Sequence, residues 1–331
     1  MMRKRMDARL AWFLALVLAC GLGARPAAAQ ADKVTIRIAN LDIGPFVSVA
    51  YVAKLAAKHG ITVKITNFRR GLEAAQALKA NEMDVAVGGV EAAVAAIAGG
   101  APAVIVSSCS TGGIAWVGRP DINWRTPADL KGRKFGVIRG LHELVMLVVF
   151  EQNGLSSSTE PGKDVQIVFI NSPPAANTAM KARDVDAISN PEPFPSRAVV
   201  EGYAKPFMRP YDTPLGNMPR AVFMRSDFLA ANRAVAQRFV DALVEATMTL
   251  RDNPALARDF VVNDALKGAI TAADWDTAMK NQAFDVSLTA GTVQAYVDYM
   301  LKYGMIKEKL RSPDITDLSM LERAKVKVGW K

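Results

Sequence analysis

Hydrophobic and polar positions from Val34 onward alternate between two periods. The segments "VTIRIAN", "ITVKITNF", "VAVGG" and "PAVIVSS" show the two-residue alternation or the short apolar runs that are typical of strands. The segments between them, "VAYVAKLAAKHG", "GLEAAQALKANEMD" and "EAAVAAIAGG", have helical spacing, and the first is expected to end at Gly60. Strands that alternate with helices in this way predict a parallel, doubly wound sheet.

The pattern then starts again and runs to about Tyr211. "IAWVGR" is a strand that could cross into a second unit, and "TPADLKG" is a short helical turn with Thr126 as its cap and Pro127 at its first position. "KFGVI" and "VQIVFI" are strands, helices begin at Leu141 and at "PPAANTAMKA", and "DVDAIS" leads out to "NPEPFP". "PLGNMPRAVFMR" resembles a second crossing strand, and mostly amphipathic helix follows from Asp227.

The N-terminal segment has the three parts of a secretory signal peptide. Residues 3–5 are basic, residues 11–22 form an apolar core, and the alanines that end at Ala29 provide an A-x-A cleavage site. The apolar core is too short to span a bilayer. We therefore predict cleavage near Ala29 and export to a bacterial periplasm, with lipid attachment at Cys20 as the alternative.

Removal of this segment changes the charge balance of the chain. The segment carries five of the 41 Lys and Arg residues and one of the 32 Asp and Glu residues, so the mature chain has a net charge of +5. The excess of positive charge is small, and the mature chain contains no run of basic residues. Both features argue against a nucleic-acid partner. Cys109 is the single cysteine of the mature chain, so packing rather than a disulfide is expected to hold the fold.

The order of these features resembles a known family. A signal peptide, two α/β series with two crossings, "ADLKGRKFGV" at the start of the second series, "DVAVGG", and the "EP" after "DAISN" are similar to the periplasmic solute-binding proteins of nitrate, taurine and aliphatic-sulfonate ABC transporters (the NitT/TauT, NMT1/THI5-like group). The resemblance implies an α/β, type II periplasmic-binding-protein (Venus flytrap) fold. Residues 30–117 and 216–331 would form lobe 1, and residues 118–215 would form lobe 2.

Polar residues follow several predicted strands, at turns that open helices. In open α/β sheets, ligands bind outside the carboxyl ends of the strands, and helix N-termini offer free N–H groups there. The turns "NLDIGPF", "GGVEAA", "SSCSTGG", "IRGLHEL", "NSPPAA" and "SNPEPF" are therefore expected at a binding cleft. The candidate ligand-binding residues in these turns are Asp42, Phe46, Gly89, Glu91, Ser110, Thr111, Leu141, His142, Glu143, Asn190, Glu192 and Phe194.

Some of these residues have an alternative, structural role. Asp42 is equally suited to cap the following helix. Glu91 near a helix start is favoured by the helix dipole alone. Ser110 and Thr111 fit either the cleft or ordinary loop polarity, whereas Cys109 between neighbouring serines is expected to be a small buried residue.

The proline-rich "SNPEPFP" also permits two interpretations. Asn190 could cap a helix that begins at Pro191. A rigid loop with one acidic and one aromatic side chain is, however, well suited to presenting both to a ligand. We favour a ligand contact for Asn190 or Glu192.

His142 and Glu143 match the first half of the zinc-protease signature H-E-x-x-H. The second ligand position is occupied by Met146, and the only other histidine is His59, so neither a zinc site nor protease activity is expected. His142 lies in the first turn of its helix, outside the predicted apolar stripe. It is either a solvated surface residue or a neutral ligand-binding residue, because the helix dipole disfavours imidazolium.

The solute class follows from a departure from the family pattern. Sulfonate and nitrate binders that resemble this chain often carry Gly-Ser or Gly-Thr where this chain has Leu141 and His142. The four candidate acidic residues would also repel an anion. We therefore expect a small polar organic solute with hydrogen-bond donors or positive charge, such as a nitrogen heterocycle.

The resemblance also implies a mechanism and partners. The protein would capture its solute by lobe closure about crossings near Trp116 and Gly216, and deliver it to an inner-membrane ABC permease and its ATPase. It would act as a monomer, without catalysis, cofactor or metal. Two alternatives stay open: an enzyme on the same fold resembling the thiamine-pyrimidine synthases, which are cytosolic and consume an active-site histidine, and a secreted sensor that presents its ligand to a membrane receptor.

Overall fold

The computed structural model describes residues 34–331, and the predicted signal peptide lies outside them. The strands of this region are β1 Thr35–Leu41, β2 Thr62–Phe68, β3 Val85–Gly89, β4 Ala103–Ser108, β5 Thr111–Gly112, β6 Ile114–Gly118, β7 Arg133–Ile138, β8 Ser157–Ser158, β9 Val165–Ile170, β10 Ala187–Pro191, β11 Lys205–Met208, β12 Arg220–Arg225 and β13 Gln282–Ala283. No helix among residues 34–331 has the length and apolar character needed to cross a membrane.

The α-helices follow the predicted alternation through the first two-thirds of the chain and then dominate it. They are α1 Val47–Leu55, α2 Gly71–Lys79, α3 Val90–Ala98, α4 Leu141–Gln152, α5 Pro173–Lys181, α6 Phe194–Val200, α7 Ser226–Ala231, α8 Arg233–Asp252, α9 Pro254–Phe260, α10 Ala272–Ala278, α11 Ala290–Lys302, α12 Ser312–Ile315 and α13 Ser319–Val328. Short 3-10 turns at Gly44–Phe46 and Pro127–Leu130 supplement them, and the second has the predicted Thr126 cap and Pro127 start.

The first sheet has the strand order β2-β1-β3-β12-β4. Strands β1, β2 and β3 are parallel, and Ile38 pairs with Ile65 on one side and with Val85 on the other. All five residues of β3 are buried, as expected for a central parallel strand covered on both faces. The carboxyl ends of these strands therefore form one edge of the sheet, from which the following turns project.

The second sheet has the order β11-β6-β10-β7-β9-β8. Strands β7, β9 and β10 are parallel, but β6 runs antiparallel to β10. The strand β12 is likewise antiparallel to β3 and β4 in the first sheet. Both sheets are thus mixed rather than wholly parallel, because the two strands predicted to cross between units, β6 and β12, each enter the other sheet in the reverse direction.

Two predicted helices differ from their patterns: one ends earlier than expected, and the other is divided in two. Helix α1 ends at Leu55 rather than Gly60, and the next residues form a turn in which the N–H group of Ile61 bonds the carbonyl of Ala56. Gly60 takes a left-handed φ of 62° in that turn and directs the chain into β2. The long helix after Asp227 is divided at Asn232 into α7 and α8.

The C-terminal helices complete the core around the first sheet. Helix α8 packs against α1 and α13, and its fully buried face includes Phe239, Val240 and Leu243. Helix α11 packs against α3 and also reaches α4, which follows a strand of the second sheet. One continuous hydrophobic cluster includes Ile38 of the first sheet and Trp116 of the second, so the two sheets share a core near the crossings.

Candidate functional site

A cavity of about 340 Å³ lies where the carboxyl ends of the strands of both sheets meet. From the first sheet it is lined by residues at or after the carboxyl ends of β1 and β3, including Phe46, Gly89 and Glu91. From the second sheet it is lined by Leu141 and His142 at the start of α4, by Pro173 at the start of α5, and by Pro191 at the end of β10. The volume is at the small end of the range for ligand sites.

The walls of this cavity are mainly apolar. Phe46 is 1% exposed and forms part of the wall beside the first sheet. Leu72 at the start of α2 and Leu141 at the start of α4 add aliphatic surface. Met300 and Met305, at and beyond the end of α11, also line it. Methionine is an adaptable side chain, so this wall can follow the shape of an apolar solute group.

Glu91 places a buried carboxylate between the starts of two helices. Its side chain turns back toward the cap of α3, since a Cβ atom built at Gly89 would lie 2.8 Å from Glu91 Cδ. Its Oε1 atom faces the cap of α4, since a Cβ atom at Gly140 would lie 3.4 Å from it. The carboxylate therefore lies between α3, which follows a strand of the first sheet, and α4, which follows a strand of the second sheet.

The protonation of Glu91 is set by opposing effects. Burial raises the pKa of this carboxyl to about 7, although the charge of Arg220 and the backbone N–H groups of Glu91, Ala92 and Leu141 lower it. The Oε2 atom is buried and has no hydrogen-bond partner among residues 34–331. Glu91 therefore places at the cavity wall a carboxylate whose Oε2 atom lacks a partner among the described residues.

Arg220 supplies the buried positive charge of the site. It is the first residue of β12, where it lies opposite Gly89, and it is 3% exposed. Its Nη2 atom donates to the carbonyl of Gly112 at 2.5 Å, but its Nε atom has no partner among the described residues. Burial lowers the pKa of Arg220 from its ordinary value, yet a guanidinium stays charged in proteins. An unused donor of a buried cation thus lies next to the cavity.

His142 contributes a neutral imidazole. The ring is 7% exposed, and Nδ1 lies 2.8 Å from the hydroxyl oxygen of Ser189 in β10. Burial, and to a smaller extent the nearby charge of Arg220, together lower the pKa of His142 to about 3. The neutral state is the predicted one, but its main cause is burial rather than the helix dipole. The alternative of a solvated surface residue is wrong, because the side chain is buried.

The edge of the cavity is basic. The three arginines at this edge are Arg69, Arg70 and Arg139. Arg139 pairs with Glu143 at 3.2 Å and stacks with its guanidinium carbon 3.6 Å from the ring centroid of Phe169. Arg70 pairs with Glu73 at 2.8 Å. Two of these three arginines are therefore paired with acidic side chains in the first turns of α2 and α4.

The structure brings five of the twelve sequence-predicted site residues together in the cavity. These residues are Phe46, Gly89, Glu91, Leu141 and His142. They come from three of the six predicted turns, whereas "NSPPAA" and "SNPEPF" contribute Pro173 and Pro191 instead. Five of the six turns selected by the carboxyl-end rule thus contribute residues to this cavity.

The first group of residues outside the cavity lies on the side of the first sheet. Asp42 is exposed and lines a separate depression with Asn40 and Asn67; it does not cap the following turn, whose cap is Ile43. Ser110 is buried and donates to the carbonyl of Pro45 at 2.6 Å. Thr111 belongs to β5, which pairs with β13. Both hydroxyl residues thus serve the packing of the turn rather than the cavity wall.

The second group lies near the second sheet. Glu143 faces Arg139 and the N–H group of Gly140. Asn190 is fully buried and its amide nitrogen donates to the carbonyl of Pro173 at 3.1 Å, which fixes the two prolines of the cavity wall. Asn190 lies within β10, so the alternative that it caps a helix beginning at Pro191 is wrong.

Glu192 and Phe194 also lie outside the cavity wall. Glu192 is 0% exposed and accepts hydrogen bonds from the amide of Asn281 at 2.7 Å and from the N–H group of Ser196 at 3.3 Å. Burial raises the pKa of Glu192 to about 7. Phe194 begins α6, and its carbonyl accepts a hydrogen bond from the amide of Asn177. Both residues hold the loop after β10 in place.

The position expected for a second zinc ligand and the thiol of Cys109 both lie in the core. Met146 is 2% exposed and lies in the core rather than beside His142 in a metal site. No group of three or more His, Cys, Asp or Glu side chains within residues 34–331 is arranged to hold a metal ion. Cys109 is fully buried, and burial raises the pKa of its thiol to about 12. It has the predicted character of a small buried residue.

Sequence reasoning missed the four arginines of the site. Arg69 and Arg70 follow β2 in "FRRGLEA", a strand-to-helix turn that the same positional rule covers. Arg220 stands in "PRAVFMR", where a charged residue opens an otherwise apolar strand. Arginine is rarely buried unless it is paired or functional. A charged residue at the start of a predicted apolar strand was therefore the signal that could have identified Arg220.

Comparison with known proteins identifies the family. Residues 29–263 match the sequence model of the NMT1-like family. A search of curated proteins gave no match. Among solved structures, the alkanesulfonate-binding protein SsuA from Xanthomonas axonopodis pv. citri, bound to MOPS, is similar with 20% identity and a TM-score of 0.72, over 86% of this chain and 98% of that one.

Two further solved structures share this architecture. The periplasmic aliphatic sulphonate-binding protein SsuA from Escherichia coli has 19% identity and a TM-score of 0.71, over 85% of this chain and 91% of that one. The periplasmic nitrate-binding protein NrtA from Synechocystis PCC 6803 has 14% identity and a TM-score of 0.76, over 90% of this chain and 89% of that one. The chain therefore belongs to the NMT1-like family and has the two-lobe α/β fold of the periplasmic binding proteins.

Proposed function

We propose that this protein is a periplasmic solute-binding protein of an ABC importer, which captures a small polar organic molecule in the cavity between its two sheets. The observation that carries the proposal is the convergence of buried, partly unused polar groups on one cavity. Glu91 and His142 reach it from the first turns of α3 and α4, and Arg220 reaches it from the start of β12. Groups from separate sheets that meet around one space can clamp a molecule when the sheets approach.

The lining supports a solute with both apolar and polar parts. Phe46, Leu72 and Met300 offer apolar contact, whereas the buried polar groups offer one carboxylate, one guanidinium and one neutral imidazole. About 340 Å³ accommodates a molecule of modest size. Few polar groups in a mainly apolar cavity are suited to fixing the orientation of a ligand.

The proposed mechanism is closure of two lobes around the solute. Residues 30–117 and 216–331 form lobe 1 in this proposal, and residues 118–215 form lobe 2. The chain passes from β4 of the first sheet to β6 of the second and returns at β12. Gly216 precedes this return with a left-handed φ of 65°, in the loop that would bend. Two such connections permit a hinge motion.

The proposed partners follow from the same role. The structural neighbours are described as alkanesulfonate-binding, aliphatic sulphonate-binding and nitrate-binding proteins. By analogy, this chain would be exported after cleavage near Ala29 and would deliver its solute, as a monomer, to an inner-membrane permease and its ATPase. N-terminal sequencing of the periplasmic protein should then begin at or near Gln30.

Binding without covalent chemistry is part of the proposal. Ser189 and His142 form a pair that resembles a nucleophile and a base, but Ser189 is 0% exposed and lies outside the cavity lining. Its hydroxyl orients the imidazole and is shielded from any solute. The thiol of Cys109 is equally inaccessible. The arrangement supports recognition rather than turnover.

A thermal-shift screen tests this function. The mature chain, residues 30–331, is heated with individual small metabolites. A molecule present at one hundred times its dissociation constant should stabilise the fold by about 2.7 kcal/mol. The Ala95→Phe variant fills the cavity from α3 and should abolish the shift, whereas Ala96→Phe, on the neighbouring residue outside the lining, should retain it. A shift that survives Ala95→Phe would place binding elsewhere.

A further inference from the structure

We propose that Glu91 determines the class of solute: its carboxylate fills the anion-binding position between two helix starts, so the cavity rejects small oxyanions and takes a neutral or zwitterionic molecule that donates a hydrogen bond to Glu91. This inference rests on the proposed binding function and adds the chemistry of the ligand. It assigns the choice between solute classes to one side chain.

The first step is the meeting of two helix N-termini. Helix α3 begins after Gly89 and helix α4 begins after Gly140. A glycine cap offers no side-chain acceptor, so the free N–H groups of both first turns remain available. These groups carry the positive ends of two helix dipoles. Such a place is suited to an anion, and it lies at the wall of the cavity.

The second step is that this place is already occupied by the chain itself. Glu91 Cδ would clash with a Cβ atom at Gly89, and Glu91 Oε1 is the nearest atom to a Cβ at Gly140. The carboxylate thus lies against both glycine caps. A sulfonate or nitrate at the same point would compete with it for space and be repelled by its charge.

The third step comes from the polar atoms that remain unused. Glu91 is 7% exposed and Arg220 is 3% exposed, yet Glu91 Oε2 and Arg220 Nε have no hydrogen-bond partner among residues 34–331. Buried acceptors and donors without partners are costly. A solute with a donor for Glu91 and an acceptor for Arg220 relieves both costs. One buried negative and one buried positive charge balance, which fits a solute with no net charge.

The test removes the carboxylate and asks whether oxyanions now bind. Isothermal titration at pH 8 measures sodium nitrate and sodium ethanesulfonate against the wild-type mature chain, Glu91→Ala and Glu91→Gln. The control is Glu82→Gln, which makes the same change of charge at an exposed position at the other end of β3. Thermal unfolding establishes that each variant is folded.

We expect at least tenfold tighter binding of one or both oxyanions to Glu91→Ala than to the wild type or the Glu82→Gln control. Glu91→Gln keeps the volume and replaces an acceptor by an amide donor, so it should show the same gain if Glu91→Ala does not fold. Wild-type protein that binds nitrate or ethanesulfonate as tightly as the folded Glu91 variants would overturn the inference, as would folded Glu91 variants that bind neither.

A second arm separates this inference from the function on which it rests. Any solute identified by the thermal-shift screen should bind Glu91→Gln at least tenfold more weakly, because the amide cannot replace the carboxylate as a charged acceptor. An unchanged affinity contradicts the role of Glu91 but leaves the binding function intact. A wild-type chain that binds nothing in the screen contradicts the binding function, and the oxyanion titrations then still decide the role of Glu91.

Discussion

Gly89 and Glu91 share the space at the start of α3, because a Cβ atom at position 89 would lie 2.8 Å from the carboxyl carbon of Glu91. The same Cβ atom would lie 3.0 Å from Leu141 Cδ2, on the helix that follows the second sheet. Glycine at position 89 is therefore what allows the carboxylate to fold back against its own helix cap. The position of the Glu91 carboxylate thus depends on residue 89 having no side chain.

This relationship predicts the effect of Gly89→Ala. The added methyl group should displace the Glu91 carboxylate, reduce solute affinity by about tenfold or more, and lower the free energy of unfolding by about 1–3 kcal/mol through overpacking. Titration and urea denaturation measure the two effects. The control is Gly291→Ala in α11, where the nearest atom to a new Cβ lies 3.7 Å away and neither value should fall. Equal solute affinity and equal stability of the two variants would show that a methyl group fits at position 89 without displacing Glu91.

The second prediction concerns the imidazole of His142. Its replacement by alanine should weaken solute binding by about 1–3 kcal/mol, or about 5- to 150-fold, because a polar group of the solute loses its partner. The variant should also be less stable, since the hydroxyl of Ser189 loses its hydrogen bond. His59→Ala is the control, because His59 lies away from the cavity beside Glu245. An unchanged dissociation constant for His142→Ala would remove the ring from the binding site.

The third prediction concerns pH. Burial raises the pKa of Glu91 to about 7, so the carboxylate becomes the main form as pH rises through that value. A solute that donates to Glu91 should therefore bind more tightly at pH 8 than at pH 6. The other ionisable groups around Glu91 do not change charge in this range: His142 has a pKa of about 3, Arg220 stays charged, and burial raises the pKa of Tyr296.

Titration calorimetry across pH 6–8 with wild type and two variants provides the measurement. Glu91→Gln should flatten the profile. Glu192 also has a pKa of about 7 but lies outside the cavity, so Glu192→Gln should keep the wild-type slope. Affinity that rises as pH falls would indicate that the solute is an anion and that Glu91 binds it only when protonated.

The fourth prediction concerns lobe closure. If residues 118–215 move against the remainder of the chain, the radius of gyration from small-angle scattering should decrease when the solute is added. The cavity-filled variant Ala95→Phe should show no such decrease. A radius that stays constant at saturating solute would count against the hinge.

The sequence predicted much of the fold because its periods are regular. The strands "VTIRIAN" and "VAVGG" and the helix after Leu141 lie where the pattern placed them. The direction of β6 and β12 could not be read from the same pattern, because an apolar strand has the same sequence period in parallel and antiparallel pairs. Their reversal depends on where the chain crosses between sheets.

The site was only partly predictable, for a related reason. The positional rule selects turns, and Glu91 and His142, which it selected, both line the cavity. It does not tell which side chain of a turn points inward, so Asp42 and Ser110 were expected at the cavity although they lie outside it. Arg220 comes from the amino end of an antiparallel strand, a position that the rule for parallel strands omits.

The central claim is that a solute binds between the two sheets and contacts Glu91 and Arg220. A crystal structure of the mature chain with the solute from the screen tests it most directly. We predict density in the 340 Å³ cavity, with a donor atom of the solute within hydrogen-bond distance of Glu91 and an acceptor atom near Arg220. A solute bound in the depression beside Asp42, or anywhere else outside the cavity, would contradict the account.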